Sequence, residues 1–416
     1  MNILMLTESN FPQDTRVRLE AKTLIEHGFQ VSVIAIKDEG QFLFEKIDGV
    51  KIYRVPKLGL LKYGKQQKAS KLLLGGKIPN LLRSFIKYAA EYVYFTISCF
   101  FLSFLILVKD KFDIIHTHNP PDTLFLVALF FKSFRKQFIY DHHDLCPELF
   151  LDKYKSGGKH IYKTLLFLEK MSCQLADFII SSNESYKKIE IQRNHVKPEN
   201  IFVLRYGPDL NEMKIAKPRR EIKSNKHTIL CYLGQINIQD GVDYLLDTLA
   251  KIVHKHKMKD ILLMIIGDGD YLFKIKQLAN EMSLNEYIFF TGYISDRQEL
   301  NEYLSTADIF VDAAPYSFLN NNSTFVKHME YMIYGKPIVS FALKESMISL
   351  KDAGVFVPPN DTDKMAETII ELISDGKRVK ALGANARKRV KELSWDKVSK
   401  PLIEAYEKAR KRGDSQ

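Results

Sequence analysis

Short apolar runs recur along this chain, each separated from the next by a longer stretch with apolar residues at every third or fourth position. That alternation predicts strands and helices in turn, and therefore a parallel sheet covered on both faces. In the first half, strands are expected at 2–7, 31–36, 50–55, 113–116, 138–141, 178–181 and 201–204. Helices are expected at 16–27 (stopped by Gly28), 122–134, 159–176 and 184–192. Residues 207–226 turn polar and basic and contain two prolines, which reads as a boundary. A second series of strands follows at 228–234, 261–267, 288–291, 309–312 and 338–341, and residues 398–412 form a terminal helix with an apolar stripe at Leu402, Ile403, Tyr406 and Ala409. The fold class is α/β, with two Rossmann-like, doubly wound parallel-sheet domains facing a cleft, where ligands meet strand C-terminal ends. The expected divisions are 1–206, 207–395, and a segment 396–416 that crosses back toward the first domain.

A chain of 416 residues exceeds what one core usually organises. Its four cysteines, Cys99, Cys146, Cys173 and Cys231, are scattered without a CxxC, which fits a reducing cytosol and offers no soft metal site. The first residues form too short an apolar run for a signal peptide and read as a strand. The net charge of +11 is uneven: residues 1–205 carry 30 Lys and Arg against 21 Asp and Glu, the remainder 31 against 29. Residues 51–90 hold ten basic residues and no acidic one, with Lys57, Lys62, Lys65, Lys68 and Lys71 among leucines. Such a stretch suits an anionic membrane surface, or is a solvated loop. No nucleic-acid module accompanies it, so nucleic acid is not an expected partner. Residues 92–108 are then seventeen without a charge, at the lower edge for a bilayer span. A strand follows within a few residues and needs a helix over its sheet, so a buried or membrane-grazing helix is expected. The expected location is the cytoplasm, with residues 51–108 as the segment that would meet the inner face of the membrane.

Residues 320–341, NNNSTFVKHMEYMIYGKPIVSF, carry the most chemistry. They read as a polar loop, a helix capped by Asn322 or Ser323, a stop at Gly335 and Pro337, and a strand. A helix start with free N–H groups (Ser323, Thr324 and Phe325) is an anion site. Glu330 lies further along, with Lys327 three residues before it on the same face. One carboxylate suits a pair of neighbouring hydroxyls. A surface Glu330–Lys327 pair is the plain alternative.

The ordered motifs resemble the family-4 retaining glycosyltransferases of GT-B architecture. They are YLGQINIQDGVDYLL (232–246), IIGDGD (265–270), FFTGYISD (289–296), ADIFVDAAP (307–315) and the segment 322–341. In the first half FPQDTRVRLEA (11–21), IIHTHNPPD (114–122) and YDHHDLCPELF (140–150) resemble a subgroup that builds bacterial surface polysaccharides. The resemblance implies a hexosyl transfer from a nucleotide-sugar, UDP-linked by expectation, to a glycan or polyprenyl-diphosphate-linked acceptor, with retained anomeric configuration. It implies capsule or O-antigen synthesis, and neither a cofactor nor a metal. The second domain would hold the donor: Glu330 on the ribose hydroxyls, Gly234, Gln235, Gly267, Asp268 and Gly269 on loops close to the ligand, Tyr293 at the base, and Asn322, Ser323, Thr324 and Phe325 at the phosphates. The first would take the acceptor through Asp14, Arg16, His118 and Asn119, with His143 and Asp144 at the reacting sugar. An ordinary polar strand end is the alternative for the histidines, and a structural ion pair for Asp14 and Arg16.

Two departures from the family pattern stand out. Asn322 occupies the position of a carboxylate eight residues before Glu330. Gln235 and Asp240 stand where the family has an Arg and a Lys for the leaving phosphate, and such preorganised cations contribute roughly 3–4 kcal/mol each. Lys327 is the expected replacement, with Arg16 or Arg205 as weaker candidates. The missing cations keep open a nucleotide-sugar-binding protein with weak catalysis. The HxH and HHD clusters keep open a zinc-dependent hydrolase.

Overall fold

The first apolar run of each half becomes an inner strand of a sheet in the computed structural model, which describes residues 1–58, 80–154, 158–223 and 228–414. Two units separate by their internal contacts, residues 1–205 with 399–416, and residues 206–398. The basic positions Lys62, Lys65, Lys68 and Lys71 lie outside the described residues.

The first unit holds β1 (Asn2–Asn10), β2 (Gln30–Lys37), β3 (Phe44–Ile47), β4 (Val50–Pro56), β5 (Ile114–His118), β6 (Gln137–His142), β7 (Phe178–Ser181) and β8 (Ile201–Val203). Their order in the sheet is β3-β4-β2-β1-β5-β6-β7-β8. Pairings are parallel except β3 with β4. The order reverses direction between β1 and β5, so their C-terminal ends flank a switch point, where open α/β sheets bind ligands. The second unit holds β9 (Thr228–Leu233), β10 (Ile261–Ile266), β11 (Ile288–Gly292), β12 (Ile309–Asp312), β13 (Ile338–Phe341) and β14 (Gly354–Val357), all parallel, in the order β11-β10-β9-β12-β13-β14. Its switch point lies between β9 and β12. This is the expected GT-B architecture of two Rossmann-like units. Strands β3 and β14 join the predicted set, and the stretch expected as one helix over 122–134 is a 3₁₀ turn, Asp122–Leu124, followed by the helix Phe125–Lys132.

The helix Asn80–Lys109 shows how its apolar sequence is used. Phe95, Cys99, Ser103 and Ile106 are buried, and Phe95, Cys99 and Ile106 join the core around Leu4, Leu6 and Ile115. Val93, Ile97, Phe101, Phe104 and Val108 recur at helical spacing and are exposed, Val108 at 72%. Leu126, Leu129 and Phe134, on and just after the helix Phe125–Lys132, are also exposed. Among the described residues this is the helix long and apolar enough to cross a membrane by length and composition. Its inner face, however, is part of the unit's core.

The terminal helix Lys400–Asp414 belongs to the first unit. Leu402, Tyr406 and Ala409 are buried, and the Tyr406 hydroxyl is hydrogen-bonded to His116 Nδ1 at 2.7 Å.

Candidate functional site

The donor-type motifs gather at the C-terminal ends of β9, β10 and β12. The loop after β9 is zipped to the loop after β10: Ile236 N donates to Asp268 O at 3.0 Å and Tyr271 N to Ile236 O at 2.9 Å. Glycine is required for that approach. A Cβ on Gly267, whose φ is +141°, would sit 1.9 Å from Gly234 O, and one on Gly269 would sit 2.4 Å from Ile236 O. Asp268 Oδ1 accepts from Gly269 N, so this carboxylate shapes its own turn. Gln235 is exposed and its side-chain oxygen accepts from Asn237 Nδ2. Asp240 accepts from Asn237 N at 2.9 Å and locks the next turn, a capping role that a lysine could not fill. Tyr293 is 70% exposed, its ring open to a partner.

The segment 320–341 departs from expectation at its start. Ser317, not Asn322 or Ser323, is the cap, and it accepts from Asn320 N to open a separate short helix, Phe318–Asn322. Asn322 Nδ2 donates back to Phe318 O and Ser323 Oγ to Leu319 O, each at 2.8 Å. Both side chains therefore serve the preceding turn. The second helix runs Val326–Ile333 with Phe325 as N-cap and no side-chain cap bond. Its opening N–H groups belong to Val326 and Lys327, one turn later than predicted.

The alternative of a surface Lys327–Glu330 pair is not what forms. Lys327 Nζ lies 2.8 Å from Asp312 Oδ1 at the end of β12, and 4.5 Å from the centre of the Tyr232 ring. His328 Nε2 bonds the other Asp312 oxygen at 2.7 Å. Burial alone would raise the Asp312 pKa, but Lys327 and His328 override it and hold this carboxyl well below its usual range. Burial would likewise discharge Lys327, and Asp312 reverses this so that the ammonium persists. Asp240 also feels the Lys327 charge, although burial sets the upward direction of its pKa. Glu330 faces elsewhere, with Oε1 4.0 Å from Arg297 Nη1. The short i,i+3 spacing lost to a buried carboxylate contributed by another strand.

In the first unit, Asp14 caps the helix Thr15–Glu26, accepting from Arg16 N at 3.0 Å, and the Arg16 side chain returns to it at 3.6 Å. Burial pushes the Asp14 pKa up, but Arg16 and the nearby histidines bring the net shift down. Across the switch point, Asp141 at the end of β6 organises the histidines. His143 Nε2 donates to its Oδ2 at 2.6 Å and His118 Nδ1 to the same atom at 3.1 Å. All three are buried. Burial opposes ionisation of Asp141, yet His143 and His118 hold it well below the usual carboxylate range. Asn119 Oδ1 accepts from the backbone N–H of His143 and of Asp144, and Asn119 Nδ2 donates to Asp144 O. It clamps the loop that carries both. Glu20, His118, Asp141 and His143 each offer one ligand atom, all within 4.8 Å of one another, the chemistry of a divalent-cation set.

Sequence reasoning missed Asp141, Asp312 and Arg297, whose importance lies in contacts from other elements. It also missed Glu8 at the end of β1, where burial and Glu91 push its pKa up to about 7 against the opposing Lys57.

Doubly wound units with glycine-lined loops at a switch point suit a nucleotide-type ligand. Residues 213–389 match the family model described as glycosyl transferases group 1, and residues 13–212 the model described as Glycosyltransferase Family 4. An uncharacterized glycosyltransferase of Methanocaldococcus jannaschii is 25% identical over 403 residues, covering 93% of this chain and 91% of its own. The Escherichia coli UDP-Gal:alpha-D-GlcNAc-diphosphoundecaprenol alpha-1,3-galactosyltransferase is 20% identical over 299 residues, 68% of this chain and 72% of its own. Anabaena HepE, solved with UDP-glucose, has a TM-score of 0.67 at 15% identity and covers 100% of both chains. The chain is a glycosyltransferase of GT-B fold, its first part matching the Family 4 model and its second the group 1 model.

Proposed function

We propose that this glycosyltransferase moves a hexosyl group from a UDP-linked donor, with retention, to a hydroxyl of a glycan or polyprenyl-diphosphate-linked acceptor in cell-surface polysaccharide synthesis. The observation that carries the donor half is Glu330, partly accessible on a helix with no side-chain cap whose first turn sets Lys327 over Tyr232 of β9. Its carboxylate suits the ribose 2′- and 3′-hydroxyls. The diphosphate takes the N–H groups at Phe325, Val326 and Lys327, with Ser323 and Thr324 beside them. Tyr293 takes the base, and Gly234, Gln235 and Asn322 line the sugar and phosphate side. Lys327 pairs with the Asp312 carboxylate and keeps its own charge for the phosphate that departs. That phosphate then accepts the proton of the attacking hydroxyl on the same face, which keeps the anomeric configuration. No metal is assigned to this step.

In the first unit, Asp14, Arg16, His118 and Asn119 form the acceptor side, with His143 and Asp144 toward the transferred sugar. The Asp141 carboxylate fixes the His143 ring so that its other nitrogen is oriented. The exposed apolar face of the helix Asn80–Lys109 meets an anionic lipid surface, which brings the enzyme to a lipid-linked acceptor at the cytoplasmic side of the membrane. The Escherichia coli relative named for a UDP-galactose donor and a diphosphoundecaprenol acceptor supports this pairing of substrates.

A thermal-shift panel of UDP-, GDP-, ADP- and dTDP-sugars tests the donor. A ligand that binds the folded state raises the melting temperature by mass action. The UDP-sugars are expected to raise it most, and an equal or larger rise with another base overturns that assignment. Release of free sugar from the stabilising donor separates an enzyme from a protein that only binds.

A further inference from the structure

Arg297 is the first residue of the helix Arg297–Thr306, and its guanidinium stands 4.0 Å from Glu330. That distance is too long for a hydrogen bond, so the carboxylate oxygens keep their acceptor sites while feeling a full positive charge. The separation is built in. One turn along the same helix, Asn301 Oδ1 accepts from the Tyr334 hydroxyl at 2.9 Å, in a buried bond tying this helix to the end of the Glu330 helix. The neighbouring acids are engaged elsewhere: Asp296 caps its own helix through Glu299 N, and Glu299 pairs with Arg219. Tyr334 is the other titratable group whose charge Glu330 would feel, and burial keeps it protonated.

We propose that Arg297 is a positioning residue for the donor, orienting and electrostatically supporting the Glu330 carboxylate so that it reads a ribose diol without being capped by the guanidinium itself. This rests on the assignment of Glu330 to the ribose. Burial raises the proton affinity of Glu330 and Arg297 opposes it, so removing the guanidinium lets the carboxylate protonate at a higher pH.

The test is calorimetric binding of UDP and 2′-deoxy-UDP from pH 5 to 8, with GDP and 2′-deoxy-GDP in parallel. The proteins are the full chain and its Arg297→Met, Arg297→Lys and Glu330→Gln variants. The wild type is expected to favour the ribonucleotide by about tenfold, the worth of one charge-assisted hydrogen bond. In Arg297→Met the pH below which affinity falls moves upward and ribose discrimination shrinks. Arg297→Lys restores both in part, and Glu330→Gln removes discrimination at every pH. If Arg297→Met keeps the wild-type discrimination and pH profile while Glu330→Gln loses them, the role of Arg297 is overturned and the ribose assignment stands. If Glu330→Gln discriminates as the wild type does, the ribose assignment itself fails. Arg297→Gln carries the same comparison should the methionine variant misfold.

Discussion

Lys327 and Asp312 form a buried ion pair, with Nζ 2.8 Å from Oδ1, at the C-terminal end of the strand that flanks the switch point of the second sheet. Breaking a buried pair by removing one partner costs about 3–5 kcal/mol, because the other charge is left uncompensated. Lys327→Met is therefore expected to lower stability, and Asp312→Asn with it should recover part of the loss. Catalysis separates the roles. If Lys327 stabilises the departing phosphate, both the single and the double variant lose about a hundredfold or more in kcat, the range seen when one preorganised donor is removed. A double variant that refolds and turns over at the wild-type rate would assign Lys327 to packing alone.

Two buried groups give the first unit a pH response of one sign. His142 Nδ1 lies 2.9 Å from Glu190 Oε1. Burial disfavours its charge, but Glu190 and Glu169 raise its pKa to about 9. A histidine whose folded pKa is raised contributes stability that is complete below its unfolded value near 6.5 and is lost as pH climbs toward 9. The span corresponds to about 3 kcal/mol, from 1.4 kcal/mol per pH unit. Glu8, raised to about 7 by burial and Glu91, acts the same way lower down. Its neutral form is the one the fold prefers, so stability falls from pH 4.5 to 7. Denaturant unfolding across pH should slope downward through both windows. Glu8→Gln should flatten the lower one and His142→Gln with Glu190→Gln the upper. A flat profile in the unmodified chain would contradict both assignments.

How much of this was legible in the sequence follows from which forces are local. Strands such as Ile309–Asp312 and Ile338–Phe341 are largely apolar and buried throughout, and they were readable to the residue. Strand β3 was not, because its sequence FEKI is half charged and lies at the sheet edge with one paired neighbour. The helix start at residues 322–323 was misplaced because asparagine and serine are good caps anywhere, and Ser317 reached the role first. Lys327 was singled out as a cation for the departing phosphate, but its partner was hidden: Asp312 is fifteen residues away and faces it only through the crossover between β12 and the next helix. Glu330 was named from its motif, but its neighbour Arg297 was not, for the same reason.

The cluster of Glu20, His118, Asp141 and His143 supplies a direct test of the hydrolase alternative. Hydrogen bonds from both imidazoles to Asp141 account for the arrangement without an ion. Purified protein is accordingly expected to contain less than stoichiometric zinc, and a chelator should leave sugar transfer unchanged. Asp141→Asn should lower transfer instead, since it takes away the anion that fixes both rings. Stoichiometric zinc together with chelator-sensitive activity would sink the metal-free reading.

The outer face of the helix Asn80–Lys109 decides whether this enzyme works at a surface. Phe101 and Val108 are 64% and 72% exposed, while Phe95 and Cys99 on the opposite side are fully buried. Substituting the outer positions therefore leaves the core intact. Burying a large apolar side chain in lipid contributes about 1.5–3 kcal/mol, so Phe101→Asp with Val108→Asp should weaken vesicle binding by more than tenfold. The change also places acids where an anionic surface is expected. Flotation with vesicles of phosphatidylglycerol and phosphatidylethanolamine, against phosphatidylcholine alone, reads the effect. Wild-type protein should float with the anionic vesicles and less so at high salt. Transfer to a short, water-soluble acceptor should be unaffected in the variant, because these side chains are remote in sequence and role from the proposed donor residues. Equal flotation of variant and wild type would mean that this apolar face has some other partner than lipid.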